Sequence, residues 1–276
     1  MDFSLDDDHL AIAGAVDQVC ADFDDTYWSE RDQLHEFPWA FYAAMAEGGW
    51  LGVAIPEEYG GGGRGITECA IVLNRVAASG AAMNGSSALH LTMFGLNPVV
   101  KFGNDRLKET FLPRAAVGDL HIAFGVTEPD AGTDTSRIST RAVDDGNGGF
   151  IVRGRKIWTS KALESEVCLL LARTEDADTD DPRRRFDGLS LFVVDLDPEY
   201  CDIAPIPKLG RNAVASCEVA YDDLPVEGWR LVGERGRGFQ QILHGLNPER
   251  ILLAAMACGI GEVALRPAKP VPVRLE

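Results

Sequence analysis

The spacing of apolar residues along this chain changes a little before its midpoint. In the first part, apolar residues recur three and four positions apart, as on one face of an amphipathic helix. Afterwards, glycine, aspartate and proline separate short β-branched or apolar runs, a pattern typical of a small antiparallel barrel or sandwich. The sequence therefore predicts an α+β fold, with an N-terminal helical domain over residues 1–119 and a middle domain over residues 120–232 that is an antiparallel β-barrel or sandwich.

Individual elements follow from the same patterns. The first helix is predicted to begin at the N-cap Ser4, with apolar residues over 12–23 on one face, and further helices are predicted at residues 38–48, 67–82, 85–101 and 104–117. Strands are predicted at residues 121–126, 136–143, 150–153, 167–172, 189–194 and 218–221. A further long helix is predicted over residues 238–265, with apolar side chains on more than one side. The prolines of the tail over residues 266–276 cannot continue that helix, because each removes a backbone N–H and clashes with the preceding turn.

Charge and composition exclude several classes of function. The formal net charge of −17 argues against binding of nucleic acid, whose phosphates must be neutralised by clustered lysine and arginine. The acidic N-terminus is neither a signal peptide nor a transit peptide, and no apolar run is long enough to cross a bilayer, so we expect a cytoplasmic protein. The six cysteines form no C-x-x-C pair, and the five histidines have no metal-ligand spacing. We therefore expect reduced thiols and no metal site.

Two motifs stand out from this background. The first, FGVTEPDAGT at residues 124–133, is an apolar strand that enters a turn with threonine hydroxyls and free backbone N–H groups. The second, KIWTS at residues 156–160, places a large flat indole before two hydroxyls. Such groups could form a wall for a planar ligand that is polar at its edge and anionic at one end. The alternative is an ordinary strand and turn, with a tryptophan that merely lies in a sheet.

The combination of these two motifs resembles the acyl-CoA dehydrogenase family. The resemblance covers about residues 1–265 and includes PEEYGG at residues 56–61 and the segment 232–250, although the two motifs are its specific part. It implies removal of a proton from the α-carbon of an acyl-CoA thioester and transfer of a hydride from the β-carbon to N5 of FAD. The residues that it assigns to FAD binding are Phe124, Val126, Thr127, Thr133, Trp158, Thr159 and Ser160.

The resemblance also suggests residues for catalysis and for substrate binding. Glu249 aligns with the position at which a minority of the family carries the catalytic base, whereas most members carry it in a C-terminal helical domain. An equally weighted alternative makes Glu249 an exposed glutamate in the first turn of a helix. Asn247, Arg250 and Thr133 align with positions that contact acyl-CoA. The implied partners are an acyl-CoA substrate, an electron-transfer flavoprotein as electron acceptor, and further copies of the chain, since the family forms homotetramers.

The C-terminal region departs from the family. We expect residues 233–265 to be the first helix of an otherwise missing four-helix bundle, and residues 266–276 to resemble a frameshifted or prematurely ended reading frame. Three functions therefore stay open from the sequence. The first is FAD-dependent α,β-dehydrogenation of an acyl-CoA, impaired or not by the shortened chain. The second is a flavin-dependent monooxygenase or nitroalkane oxidase on the same scaffold. The third is an inactive fragment that acts only in protein interaction.

Overall fold

The N-terminal part of the chain is helical, as predicted. The computed structural model describes residues 4–176, 181 and 184–266. The helices are α1 Asp7–Cys20, α2 Asp25–Leu34, α3 Trp39–Glu47, α4 Ile66–Val76, α5 Ala82–Phe94, α6 Asn97–Phe102 and α7 Asp105–Ala116. Asp6, Asp24 and Asn104 cap the N-termini of α1, α2 and α7, because each side chain accepts a hydrogen bond from a backbone N–H of the first turn. In the described part of the chain, no helix is both long and apolar enough to cross a membrane.

Two helical segments differ from the prediction. Helix α2 was missed because Trp28 is its only buried residue, so its sequence carries no apolar stripe. The predicted helix at 85–101 is two helices, and Pro98 lies in the first turn of α6, where its missing N–H costs no hydrogen bond. Helices α4 and α5 are separated by a π-helical turn over Ala77–Ala81, in which Gly80 adopts a φ of 112°.

The middle part forms one eight-stranded sheet. Its strands are β1 Ile122–Gly125, β2 Arg141–Asp144, β3 Phe150–Ser160, β4 Val167–Arg173, β5 Leu189–Asp195, β6 Cys201–Pro205, β7 Ser216–Val226 and β8 Leu231–Val232. The strand order is β6-β7-β3-β2-β4-β5-β8, and β1 pairs with β4. Strands β1 and β2 run parallel to β4, whereas the remaining pairs are antiparallel.

The α+β class is confirmed, but the described strands do not close into the predicted antiparallel β-barrel. Among the described strands, β6 and β8 are the two ends of the order and do not pair with each other. Strand β1 follows the helical domain and pairs in parallel with β4. The β2–β3 hairpin lies between these two strands in the sequence. Alternation of apolar residues shows which face of a strand is buried, but it does not reveal the partner strand. The sequence therefore could not show whether the sheet closes into a barrel.

The long predicted helix is confirmed as α8, Gly238–Leu265. One face packs against α4, α5, α6 and the π-helical turn, through buried residues that include Gly245, Leu252 and Met256. Outside that face, Ile251, Leu253 and Leu265 are exposed. The structure thus buries only one side of a helix whose sequence is apolar on more than one side. Residues 267–276, which make up almost all of the predicted proline-rich tail, lie outside the described residues.

Gly259 allows α8 to approach α4 closely. A Cβ atom at this position would lie 2.4 Å from the carbonyl oxygen of Asn74 and 2.9 Å from the Cβ of Ala77. We therefore expect Gly259→Val to lower the free energy of unfolding by about 2–3 kcal/mol, because neither backbone can move away without loss of packing. Urea unfolding followed by circular dichroism measures this change. The matched control is Gly261→Val, since a Cβ at Gly261 has no heavy atom within 4 Å. Equal midpoints for the two variants would show that α8 does not pack as described.

Candidate active site

The two sequence motifs lie side by side at the ends of β1 and β3. The backbone N–H of Ile157 donates to the carbonyl oxygen of Thr127 at 2.9 Å. The turn that follows β1 is closed by reciprocal hydrogen bonds between the backbones of Glu128 and Ala131, at 3.0 and 3.2 Å. Residues separated by about thirty positions in sequence therefore form one continuous surface.

A buried ion pair fixes the relative position of the two motifs. The Nζ atom of Lys156 donates to Oε1 of Glu128 at 2.8 Å and to the carbonyl oxygen of Val126 at 3.0 Å. Lys156 is 0% exposed and Glu128 is 4% exposed. The remaining capacity of the carboxylate is used by the backbone N–H and hydroxyl of Ser139, both at 2.7 Å, and by the backbone N–H of Thr140 at 2.9 Å. Both charged groups thus have several hydrogen-bond partners, as a buried ion pair requires.

Glu128 stays ionised in this surrounding. Burial alone would raise the pKa of its carboxyl group, but the charge of Lys156 and the hydrogen bonds from Lys156, Thr140 and Ser139 outweigh that effect and hold the pKa at about 2. The sequence analysis assigned no role to Glu128 or Lys156, although both lie inside the recognised motifs. Their spacing alone does not show that the two side chains meet.

Trp158 is held exposed on this surface by a strained backbone. The register between β3 and β7 shifts between Lys156 and Thr159, so Trp158 lies in an irregularity of the strand, with a φ of 62°. Its side chain is 55% exposed. A left-handed backbone at a bulky residue is unfavourable, and strain of this kind is found chiefly at functional sites. Thr159 points the other way: it is buried, and its hydroxyl has no partner among the described residues.

The turn after β1 offers unpaired backbone donors. Within the described part of the chain, the amides of Asp130, Gly132 and Thr133 have no hydrogen-bond acceptor, and all three residues are exposed. A Cβ at Gly132 would meet no heavy atom within 4 Å, so the space beside this backbone is open. Neighbouring free amides of this kind form a concave site for an anion. The predicted anionic end of the ligand wall therefore has suitable donors.

The wall meets α5 of the helical domain, and we call the surface where they meet the cleft. Phe124 is half-buried and packs against Phe94 of α5, with ring centroids 5.7 Å apart. Val126 and Thr127 are also half-buried, as is Ser160 at the end of β3. Ser87 and His90 lie on the same face of α5 as Phe94, because residues three and four apart in a helix are neighbours. The site is therefore formed between α5 and the ends of β1 and β3.

Two cations in this cleft were not anticipated from the sequence. The guanidinium of Arg211 contacts the hydroxyls of Ser87, Ser160 and Ser216. Lys161 is fully buried, and its Nζ donates to the carbonyl oxygen of Ala88 at 3.1 Å. Burial lowers the pKa of Lys161 to about 7. Lys161 directly follows the second motif, which could have drawn attention to it, whereas no sequence pattern marks Arg211 as a residue of the cleft.

The predicted base, Glu249, lies on helix α8, which packs against α4, α5 and α6 of the helical domain. Glu249 is half-buried, and among the described residues its side chain has no hydrogen bond or ion pair. Burial raises the pKa of the carboxyl group, although the charge of Arg250 opposes that shift. Asn247 and Arg250 are exposed and contact each other, since Nη1 of Arg250 donates to Oδ1 of Asn247 at 2.6 Å. The interpretation of Glu249 as an exposed first-turn glutamate does not fit a half-buried position in the middle of α8.

A pocket of about 220 Å³ lies where α8 meets α4, α5 and α6. It is lined by Pro248, the residue before Glu249, and by Thr92, Met93 and Phe94 of α5, with apolar side chains from the start of α4 and from α6. Among the described residues, no group of three or more histidine, cysteine, aspartate or glutamate side chains is placed to hold a metal ion. The six cysteines are free.

Comparison with known proteins identifies the family. Residues 6–119 match the acyl-CoA dehydrogenase N-terminal domain, and residues 123–224 match the acyl-CoA dehydrogenase middle domain. A relative from Escherichia coli (strain K12), described as the probable acyl-CoA dehydrogenase YdiO, is 30% identical over 273 residues, which are 97% of this chain and 68% of that protein. The chain belongs to the acyl-CoA dehydrogenase family. Its relationship to FadE12 of Mycobacterium tuberculosis is stronger in sequence, at 35% identity over 95% of this chain.

The fold of this acyl-CoA dehydrogenase family member agrees with that of solved structures. Butyryl-CoA dehydrogenase from Megasphaera elsdenii has a TM-score of 0.85 and a sequence identity of 26%, and the alignment covers 96% of this chain and 68% of that one. The chain spans 66% of the length of FadE12. The arrangement of a helical domain, a sheet domain and a following helix is therefore that of the acyl-CoA dehydrogenases.

Proposed function

We propose that this chain binds FAD at the joined motifs and oxidises the α,β carbon–carbon bond of an acyl-CoA thioester. The observation that carries this proposal is the wall itself, in which a strained, exposed indole lies between hydroxyl groups and free backbone amides. Family membership supports the same cofactor. Glu249, half-buried on α8 with a raised pKa, supplies the group that the reaction requires in addition.

The residues of the wall fit the chemical groups of FAD. The indole of Trp158 provides a flat apolar surface for the isoalloxazine ring, with Phe124 and Val126 beside it. The hydroxyls of Thr127 and Ser160 are polar groups for the ring edge, and the family resemblance implies that Ser160 is the one near N5. Thr133 lies with the free amides that suit the pyrophosphate. Thr159 is the exception, because its buried side chain faces away from the cleft, and we propose that it contributes through its backbone.

Glu249 is the proposed base. A carboxyl group that burial keeps without a partner has a raised pKa and is a stronger base than an exposed one. It would take the proton from the α-carbon of the thioester, while the electron pair of the broken bond begins to form the double bond. The chemistry that FAD supplies is acceptance of the hydride that leaves the β-carbon. The products are an enoyl-CoA, a protonated Glu249 and the reduced cofactor, so that protons and electrons balance.

The proposed substrate follows from the surroundings of Glu249, and the proposed electron acceptor follows from the family. The apolar pocket beside Pro248 suits an acyl chain, and the exposed Asn247 and Arg250 suit the polar carrier that enters from solvent. Arg250 and Asn247 hold each other in place at 2.6 Å. An electron-transfer flavoprotein is the acceptor that we propose, in keeping with the family. Dehydrogenation is favoured over the monooxygenase and nitroalkane oxidase alternatives because it uses both the unpaired carboxyl of Glu249 and a site for a CoA carrier.

Replacement of Trp158 tests the proposed cofactor site. We expect Trp158→Ala to raise the dissociation constant for FAD about tenfold, because the flat surface for the ring is lost. Trp39→Ala is the matched control, since Trp39 is 54% exposed but lies in the helical domain away from the wall. Both variants should unfold at the same denaturant concentration as the wild type. The measurement is a titration of purified protein with FAD, followed by flavin absorbance.

Two outcomes of this titration contradict the proposal in different ways. A wild-type protein that shows no flavin absorbance after reconstitution does not bind FAD, which rules out the proposed function. Equal losses of affinity in the two tryptophan variants would mean that FAD binds without contact to Trp158, which rules out the assigned site.

A further inference from the structure

Arg211 lies in the proposed flavin cleft without a carboxylate. Its Nη1 atom donates to the hydroxyl of Ser87 at 3.2 Å, and Nη1 and Nη2 both donate to the hydroxyl of Ser160 at 3.4 Å. Nη2 also donates to the hydroxyl of Ser216. The three serines belong to α5, β3 and β7, so the guanidinium joins the helical domain to the sheet. No acidic side chain among the described residues lies within ion-pair distance of Arg211.

This placement is energetically unfavourable in two ways. Burial lowers the pKa of Arg211, which means that the charged form loses solvation that no anion replaces. Arg211 also adopts a φ of 59°, a region that is unfavourable for residues other than glycine. The buried Lys156, by contrast, is neutralised by Glu128 at 2.8 Å. An unpaired, strained cation in a cleft indicates a functional role, because packing alone would not retain it.

The hydrogen bonds of Arg211 determine what Ser160 can do. A guanidinium only donates, so the oxygen of Ser160 accepts from both terminal nitrogens of Arg211. The hydroxyl proton of Ser160 must therefore point elsewhere, and none of the described residues accepts it. Thr159 and Ser160 pair in regular register with β7, so their side chains lie on opposite faces of β3, and Ser160 is half-buried where Thr159 is buried. The hydroxyl proton of Ser160 is therefore available to a ligand that lies against the exposed indole two residues earlier.

The next residue holds Ser160 in this position. Lys161 has a φ of 64°, and its side chain turns into the helical domain. Its Nζ donates to the carbonyl oxygen of Ala88 at 3.1 Å and to the hydroxyl of Thr92 at 3.3 Å. The same Nζ lies 4.5 Å from the ring centroid of Tyr42. The backbone of Ser160 is thus tied to α5 on one side, while Arg211 directs its hydroxyl on the other.

We propose that Arg211 holds Ser160 as a hydrogen-bond donor toward N5 of the bound flavin and thereby favours the oxidised, hydride-accepting form. This inference rests on the proposed function. N5 of an oxidised flavin carries a lone pair that accepts a hydrogen bond, whereas N5 of the reduced ring carries a proton. A serine that is free to rotate serves either form, but a serine restricted to donation serves only the oxidised one. Arg211 is therefore a positioning residue that acts through Ser160.

A double-mutant cycle measures this indirect effect. The four proteins are the wild type, Arg211→Met, Ser160→Ala and the double variant, each loaded with FAD, and the readout is the flavin midpoint potential. Loss of the Arg211 charge affects the potential directly in both backgrounds, so that contribution cancels. We expect Arg211→Met to favour the reduced form about tenfold more when Ser160 is present than when it is absent. For a two-electron couple this difference corresponds to about 30 mV.

Two further variants make the cycle decisive. Arg153→Met removes an exposed arginine from the same strand as Ser160 and should leave the potential unchanged. Arg211→Lys keeps a charge but not the planar fork that reaches three hydroxyls, so it should show the same sign of coupling to Ser160 as the methionine variant. If Arg211→Met does not retain FAD, the lysine variant supplies the cycle.

The outcomes separate this inference from the proposed function. A coupling of about tenfold supports it. Additive shifts, or a coupling of the opposite sign, overturn the role of Arg211 while FAD binding leaves the proposed function in place. A wild-type protein that binds no FAD overturns both.

Discussion

Lys156→Met is expected to lower the free energy of unfolding by about 3–5 kcal/mol and to abolish FAD binding at micromolar concentrations. The loss is large because the substitution leaves the carboxylate of Glu128 buried without its counter-ion, which costs far more than the pair itself contributes. It also removes the hydrogen bond from Lys156 to the carbonyl oxygen of Val126, which holds the end of β1 against β3. Urea unfolding and an FAD titration measure the two effects.

Matched variants distinguish loss of the ion pair from loss of a buried side chain. In the double variant Lys156→Met with Glu128→Gln, no charge is left unpaired, and the amide can retain part of the hydrogen bonding with Ser139 and Thr140. We expect this double variant to recover most of the lost stability. Arg153→Met breaks an exposed ion pair with Asp223 on the same strand and should cost less than about 1 kcal/mol. A loss of similar size for Lys156→Met would show that Glu128 is not confined as described.

The same ion pair makes the stability of the wild-type protein fall at acid pH. The pKa of Glu128 is about 2 in the folded protein, compared with 4.5 for a glutamate without these partners. The contribution of Glu128 to stability is therefore fully present above pH 4.5. That contribution is lost as the pH falls from about 4.5 to about 2. The double variant has no carboxyl group at this position, so its stability should depend less on pH over that interval.

The helices and the two motifs could be predicted from the sequence because each depends on residues that are close together along the chain. The helix at 238–265 was predicted with the bounds that the structure shows, since its apolar stripe continues without interruption. The wall was predicted because each motif carries its own turn and aromatic residues. That Thr127 and Ile157 would hydrogen-bond could not be derived, because contacts between distant segments leave no trace in the spacing of either one.

The remaining features depend on partners that a sequence pattern does not specify. Strands β6 and β8 were missed because Cys201–Pro205 is mostly exposed and Leu231–Val232 is too short to show alternation. The prediction for Thr159 treated its hydroxyl as available, but alternation of the strand turns it away from the cleft. Arg211 could not be found at all, because an arginine between asparagine and glycine is typical of a solvated loop.

Glu249→Gln is expected to reduce the rate of flavin bleaching by acyl-CoA about 10²- to 10⁴-fold, which is the usual contribution of a positioned general base. The amide has nearly the same size as the carboxyl group but cannot take the α-proton. FAD affinity should stay within about twofold of the wild type, because Glu249 lies on α8 and not on the wall. The measurement is anaerobic mixing with a series of acyl-CoA thioesters, followed at the flavin absorbance band.

Stability gives an independent reading of the same substitution. The pKa of Glu249 is raised in the folded protein, so the ionised form is less favourable there than in the unfolded chain. The protein therefore loses stability at pH values above the ordinary pKa of 4.5, and the uncharged glutamine removes that loss. We expect Glu249→Gln to be at least as stable as the wild type at pH 7. A variant that loses activity while it keeps or gains stability has lost a chemical group and not its fold.

The control and the pH profile complete this argument. The control is Glu262→Gln, because Glu262 is an exposed glutamate on the same helix and forms an ion pair with Arg75. This variant should leave flavin bleaching unchanged. In the wild type, the rate should rise with pH through an apparent pKa above 4.5, because only ionised Glu249 can accept the proton. Normal bleaching by Glu249→Gln would place the base elsewhere, and a wild type that binds FAD without bleaching by any thioester would count against dehydrogenation. A carboxyl group with a raised pKa is a stronger base toward the weakly acidic α-carbon of a thioester. If Glu249 has this role, the loss of bleaching rate and the retained stability of Glu249→Gln must occur together with the pH profile of the wild type.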